Sequence, residues 1–207
     1  TAALASAFPE FAPYRVDIAL LIVAFITLMN LRGVKESGTF FSIPTYMFIV
    51  GMLVMIAVGV LRVLTGGVTP VPPPPAEVLA EELKYVNGLT LFLVLRAFAA
   101  GCTALTGIEA ISNGIPAFKP PESRNAGQTL IIMVVLLCTM FIGITFLANQ
   151  YQVIAVHHAE TTVLSQIARA VFGENSLLFY YLQLATLLVL SLAANTAYAD
   201  FPRLAAI

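Results

Sequence analysis

The chain has 207 residues, of which 59% are hydrophobic and only 10% are charged. Average soluble domains carry roughly 25% charged residues, so this composition excludes a soluble globular surface and indicates a membrane protein. The net charge is −1, which offers no strongly basic surface and excludes nucleic acid as a partner.

Five segments of the chain are apolar and long enough to cross a bilayer, at about 16–31, 37–64, 89–118, 129–150 and 177–199. Each predicts a helix, because an uncharged run in lipid satisfies its backbone most simply in that form. The predicted fold class is all-α, a polytopic membrane bundle. We expect residues 1–207 to form one partial transmembrane domain without a separate soluble domain. Because the chain starts without Met and stops soon after an apolar segment, we expect an internal piece of a longer protein.

The basic residues of the short linkers predict the orientation of these segments. Loops 32–37 and 119–128 each carry two basic residues, and Arg203 follows the fifth segment. Short basic loops favour the cytoplasm. We therefore expect both loops and the C-terminal end on the cytoplasmic side of a bacterial plasma membrane.

The two linkers on the opposite side are longer and carry further structure. Residues 76–85 follow four successive prolines and predict a short helix with acidic residues near its start. Residues 161–173 predict an amphipathic arm or short helix that ends at Gly173. This arm acts either as a lid over the outer mouth or as an interfacial helix without a gating role.

The third segment contains the sequence GCTALTG, in which two glycines enclose two threonines, and Glu109 follows it. Glycines weaken a helix, and a glutamate in hydrocarbon usually marks an ion or proton path. We therefore predict a broken membrane helix whose freed backbone groups face a cavity. The candidate binding residues are Gly101, Thr103, Ala104, Leu105, Thr106 and Gly107.

Such a break suits two kinds of cargo. Carbonyl and hydroxyl oxygens near Gly101 and Thr103 suit a hard cation, whereas the free N–H groups near Gly107 suit a carboxylate. Alternatively, the glycines only permit close packing of helices. Glu109 is either a proton-coupling carboxylate or a structural group that bonds the opened backbone.

Other polar residues in the apolar segments are secondary candidates. Ser191 and Asn195 share one face of the fifth segment, where they either bond a neighbouring helix or form a secondary ion site. Pro44 predicts a bend in the second segment, as a gate or as a static kink. Cys102 and Cys138 lie in apolar segments, and we expect packed thiols without a disulfide.

No known enzymatic motif is present: the sequence has no Gly-x-Ser-x-Gly, phosphate-binding loop or His-Glu-x-x-His. We therefore expect a protein that is not an enzyme and that has no cofactor. The expected partners are the lipid bilayer and a small solute, with a homodimer left open.

Two stretches carry a family resemblance. NLRGVKESG after a membrane helix, and TGIEAISNGIPAFKPPESRNAGQTL, resemble the amino acid–polyamine–organocation (APC) superfamily of permeases. The resemblance implies a LeuT-like fold of two five-helix inverted repeats, in which these segments are the fourth to eighth helices. It places Thr103 to Gly107 along the cargo cavity and Glu109 at a conformationally sensitive acidic position.

Thr103 and Leu105 stand where bulky aromatic residues commonly gate the substrate in amino-acid permeases of this superfamily. This departure, with ADFPRLAAI at the end, is similar to the bacterial potassium importers of the Kim type, a branch of the same superfamily. That likeness implies Thr103 as a potassium ligand and a co-transported proton. We expect proton-coupled potassium uptake by alternating access. A proton-coupled amino-acid permease is the alternative, and a receptor or assembly subunit that moves nothing is a third reading.

Overall fold

The computed structural model describes residues 1–31, 38–85, 90–102, 111, 115, 118–156 and 161–205. Every regular element in these ranges is a helix, which confirms the predicted all-α class. The elements are α1 (Ala2–Ala7), a 3₁₀ segment (Pro9–Tyr14), α2 (Arg15–Leu31), α3 (Gly38–Leu64), α4 (Ala76–Tyr85), α5 (Leu91–Cys102), α6 (Glu122–Gln150), α7 (Val163–Phe172) and α8 (Leu177–Ala205).

Four stretches of described helix are long and apolar enough to cross a membrane, and they correspond to the first, second, fourth and fifth predicted segments. They are Pro9–Leu28, Ser42–Leu64, Glu122–Gln150 and Leu177–Asn195. The third segment is represented by α5, a shorter apolar helix of 12 residues. Most of its remainder lies outside the described residues.

The chain divides into two compact units. The first combines Thr1–Pro73 with Ile144–Ile207, and the second comprises Pro74–Gly143. In the first unit, α8 packs along α3, and α7 packs against both of them. The buried core of this unit comes from these helices and the end of α6: Met52, Met55, Leu147, Tyr151, Ile167, Val171, Phe179 and Leu182.

Two glycines of α3 allow its neighbours to approach closely. A Cβ added at Gly51 would lie 3.0 Å from Leu182 Cδ1, and a Cβ added at Gly59 would lie 2.7 Å from Leu147 Cδ2. Small residues bring membrane helices close enough for extensive van der Waals contact. Gly51 and Gly59 therefore position α8 and the end of α6 against α3.

Pro44 lies near the start of α3 without ending the helix, which continues to Leu64. One turn further on, the Tyr181 hydroxyl of α8 donates a hydrogen bond of 3.0 Å to the Met47 carbonyl. This bond adds a polar contact to the apolar packing of α3 on α8.

The predicted helix at 161–173 is confirmed as α7, and its ends follow ordinary capping chemistry. The Thr162 hydroxyl accepts a hydrogen bond of 3.2 Å from the Ser165 amide at the helix start. At the other end Gly173 has a backbone φ of 90°, a conformation that residues other than glycine rarely adopt. One face of α7 is buried, through Ser165, Ile167, Ala168 and Val171.

The second unit contains α4, α5 and the first part of α6. The predicted helix at 76–85 is confirmed as α4, which starts directly after the four prolines and has Glu77 in its first turn. In the first turn of α6, the Asn125 side chain donates a hydrogen bond of 2.7 Å to the carbonyl of Lys119, which precedes the helix. This bond fixes the turn that leads into α6.

Candidate functional site

The predicted cargo site is described only at its first residue. Gly101 lies next to the last residue of α5, and the residues from Thr103 to Glu109 lie outside the described ranges. A Cβ added at Gly101 would meet no heavy atom within 4 Å in the described part of the chain. The opening between Gly101 and Gly107 stays a prediction. Close helix packing, the alternative use of this glycine, also stays a prediction.

All residues of α5 from Leu91 to Cys102 are exposed in the structure. Arg96 shares this exposure, as does Phe98 with an exposed fraction of 71%.

The polar face of α8 bonds to its own backbone at two positions. The Ser191 hydroxyl donates a hydrogen bond of 2.8 Å to the Leu187 carbonyl, and the Thr186 hydroxyl donates one of 2.7 Å to the Leu182 carbonyl. Asn195, one turn beyond Ser191, is half-buried. The secondary cation site at Ser191 and Asn195 stays a prediction.

The described residues contain no group of three or more His, Cys, Asp or Glu side chains that could hold a metal ion. Cys102 and Cys138 are free thiols, but both are exposed in the structure. The prediction that they pack was therefore wrong. Each lies on an outward face of an apolar helix, where hydrophobic composition does not imply burial within the chain.

The sequence did not predict one polar cluster, which centres on Arg169 in the last turn of α7. Arg169 Nη2 donates a hydrogen bond of 2.6 Å to the Ser6 carbonyl. The Thr162 amide donates one of 3.2 Å to the Ser6 hydroxyl. Arg169 Cζ also lies 5.4 Å from the centre of the Phe179 ring, a cation–π distance. These contacts join α1, α7 and α8.

The sequence does hold one indication of this cluster: Arg169 is the single basic residue of the amphipathic segment 161–173. Arg169 lies among Ile167, Ala168 and Val171, which are fully buried. A charge beside such a buried face needs a partner. The partner, Ser6, lies 163 residues away, and periodicity does not predict contacts over that distance.

The helices and their exposed apolar faces define a polytopic integral membrane protein. A profile of the amino acid permease family matches residues 1–206. The chain therefore belongs to this family, within the APC superfamily, and the resemblance drawn from the sequence is confirmed.

Sequence identity to one relative extends the comparison. The chain is 47% identical over 205 residues to the protein named potassium transporter KimA of Bacillus subtilis strain 168. The alignment covers 99% of this chain and 32% of that protein. The chain thus spans about a third of the length of this relative.

Proposed function

We propose that this protein is a secondary-active transporter that takes up potassium ions together with protons by alternating access. The observation that carries the proposal is the identity of 47% to a protein named potassium transporter. The apolar helices, four of them long enough to cross a membrane, support a path through a bilayer rather than a site on a soluble domain.

The proposed ion site lies in the third segment, from Gly101 to Gly107. Carbonyl oxygens and the Thr103 hydroxyl replace part of the hydration shell of a potassium ion, since hard cations prefer oxygen ligands. The carbonyl end of the half-helix at Gly101 carries partial negative charge, which also favours a cation. Glu109 exchanges the coupled proton, in the role typical of an intramembrane carboxylate.

In this proposal loops 32–37 and 119–128 and the C-terminal end face the cytoplasm of a bacterium. The five segments belong to a larger inverted-repeat bundle, as the superfamily resemblance implies. No resident cofactor takes part, and the intact protein works alone or as a homodimer.

The second candidate function is proton-coupled amino-acid transport, which the description of the matching family favours. In that case the N–H groups at Gly107 bind the substrate carboxylate, because the start of a half-helix carries partial positive charge. The two functions place the cargo at opposite ends of the same opening.

Uptake of rubidium, a potassium substitute, by vesicles containing the intact protein tests the proposal. We expect uptake that a pH gradient drives, and we expect Thr103→Val to reduce it about tenfold through the loss of one oxygen ligand. Thr139→Val is the matched control, because within the described part of the chain the Thr139 hydroxyl donates a hydrogen bond of 2.7 Å to the Val135 carbonyl of its own helix. Its uptake should equal that of the unmodified protein.

Three other outcomes would each contradict part of the proposal. Amino-acid transport without rubidium flux would reject the potassium function and favour the second candidate. Unchanged transport in both Thr103→Val and Glu109→Gln would remove the proposed site. The absence of transport of either solute by a folded protein would favour the receptor or assembly role.

A further inference from the structure

Two neighbouring cavities lie at the start of α8, within the first unit. We call the first the outer cavity; it measures about 310 Å³ and is lined by Phe8, Glu10, Arg169, Glu174, Asn175 and Tyr180, among others. We call the second the apolar groove; it measures about 250 Å³ and is lined by Leu4, Phe8, Tyr180, Gln183, Leu184 and Leu187, among others.

The two cavities share a wall. Phe8 and Tyr180 line both of them, and their rings stack with centroids 5.7 Å apart and an interplanar angle of 25°. The two cavities therefore adjoin at this aromatic pair, which is the arrangement that one elongated molecule lying across both would need. Such a molecule needs a polar end for the outer cavity and an apolar end for the groove.

The charges of the outer cavity define the polar end. Arg169 Nη1 lies 3.9 Å from Glu174 Oε1, and Glu10 lines the same cavity. Two carboxylates and one guanidinium disfavour a purely anionic group. They suit a zwitterion, whose ammonium group meets the carboxylates while its phosphate meets Arg169. The Arg169 bond to Ser6 holds the guanidinium in place.

The position of both cavities along α8 matches the layers of a membrane. Glu174 and Asn175 precede the candidate span that begins at Leu177, so the outer cavity lies at headgroup level. Along the groove, Tyr180, Leu184 and Leu187 follow one face of the helix over about 10 Å. The groove therefore extends into the hydrocarbon layer.

Gln183 places one polar group in the wall of the groove. This residue is 5% exposed, and its Nε2 is buried without a hydrogen-bond partner among the described residues. A buried donor without an acceptor is costly. The ester carbonyl of a lipid would supply that acceptor once the amide turns toward the groove.

We propose that the outer cavity and the apolar groove together bind one phospholipid with a zwitterionic, ammonium-bearing headgroup, of the phosphatidylethanolamine type. The ammonium group contacts Glu10 and Glu174, the phosphate contacts Arg169, and an acyl chain lies in the groove between α1 and α8. A choline headgroup carries no N–H donors, and a glycerol headgroup carries no positive charge. Both bind more weakly.

Native mass spectrometry of the intact protein, released from nanodiscs with equal parts of phosphatidylethanolamine, phosphatidylcholine and phosphatidylglycerol, tests the proposal. We expect phosphatidylethanolamine to be retained in excess. We expect the double variant Glu10→Gln, Glu174→Gln to lower this excess about fivefold, the ratio that corresponds to one exposed ion pair. Glu77→Gln, which removes an exposed carboxylate in the second unit, should leave the excess unchanged.

A second variant tests the groove without altering charge. This variant is Leu184→Trp, at a residue that lines the groove and is 49% exposed. The larger side chain should fill part of the groove and so reduce the amount of every lipid that stays bound. Equal retention of the three lipids by the unmodified protein would overturn the proposal. So would an excess that survives both changes, or a density map of the intact protein in which other protein side chains fill the groove.

Discussion

Tyr151, the first residue after α6, is the largest fully buried side chain among the described residues. Its hydroxyl is also buried and has no hydrogen-bond partner within the described ranges. Burial raises the pKa of this phenol above the usual 10.0, and the nearby positive charge of Arg62 lowers it by a smaller amount. The ring therefore contributes packing, while its hydroxyl carries an uncompensated desolvation cost.

Replacing Tyr151 by Phe tests this assignment. We expect the free energy of unfolding at pH 7 to stay equal or to rise by up to about 1 kcal/mol, because no bond is lost. Between pH 10.0 and the raised folded pKa, the unmodified protein loses stability as pH rises, since the unfolded phenol ionises first. Thermal unfolding across this range should show a smaller loss for the variant.

Tyr46→Phe is the control for this experiment, because Tyr46 is 66% exposed. Its stability should follow that of the unmodified protein at every pH. A loss of more than about 1 kcal/mol in Tyr151→Phe would mean that the hydroxyl has a partner outside the described residues.

At the scale of elements, α3 is the helix around which the first unit packs. It touches α7 and α8, and two of its glycines, Gly51 and Gly59, lie at close contacts with neighbouring side chains. At Gly59 an added Cβ would meet Leu147 Cδ2 at 2.7 Å and Val171 Cγ2 at 3.2 Å. Leu147 and Val171 are fully buried, so they have little room to move aside.

A large side chain at position 59 should force these helices apart. We expect Gly59→Leu to lower the free energy of unfolding by about 2 kcal/mol or more, the upper range for overpacking. Gly127→Leu is the matched control, because a Cβ at Gly127 of α6 meets nothing within 4 Å. Leucine there gains up to about 1 kcal/mol of helix propensity. Equal loss in both variants, measured by thermal unfolding in detergent, would contradict a special role for Gly59.

The helices themselves were largely predictable from the sequence, whereas their contacts were not. Hydrophobic length predicts α3, α6 and α8, because a long uncharged run leaves few alternatives in lipid. The prolines before α4 and Gly173 after α7 mark the ends of the short helices. The close approach at Gly59 depends on which helix lies opposite, and no local pattern encodes that choice.

The candidate site shows the same division between local and distant information. Glycines and a glutamate in an apolar run predict a helix that opens between Gly101 and Gly107, just before Glu109, since both residue types are costly there. The Arg169 cluster escaped prediction, because its partner Ser6 is remote in sequence. The exposure of both cysteines was mispredicted because an apolar neighbourhood in sequence faces lipid as readily as protein.

At the scale of the whole molecule, the proposed orientation depends on the basic loops. If loop 119–128 is cytoplasmic and α6 crosses the membrane once, the residues after α6 face outward. Glu122 is the first residue of this helix, Ala155 lies shortly after its end, and both are exposed. They are therefore suitable positions for labelling.

Single cysteines at these two positions, in a chain whose Cys102 and Cys138 are replaced by Ser, report on which side of the membrane each end of α6 lies. We expect Ala155→Cys to react with a membrane-impermeant maleimide on intact cells, and Glu122→Cys to react only after permeabilisation. The reverse pattern would invert the orientation. Labelling of both positions from outside would mean that α6 does not cross the membrane.

The bond between Arg169 and Ser6 also sets an order of events during synthesis. Its two ends are 163 residues apart, so a ribosome that adds roughly 5–20 residues per second needs roughly 8–33 s to complete the pair after α1 has emerged. Throughout that interval α1 lacks its contacts with α7 and α8. The insertion machinery or the surrounding lipid must therefore cover the unpaired surface of α1 until α7 and α8 have been synthesised.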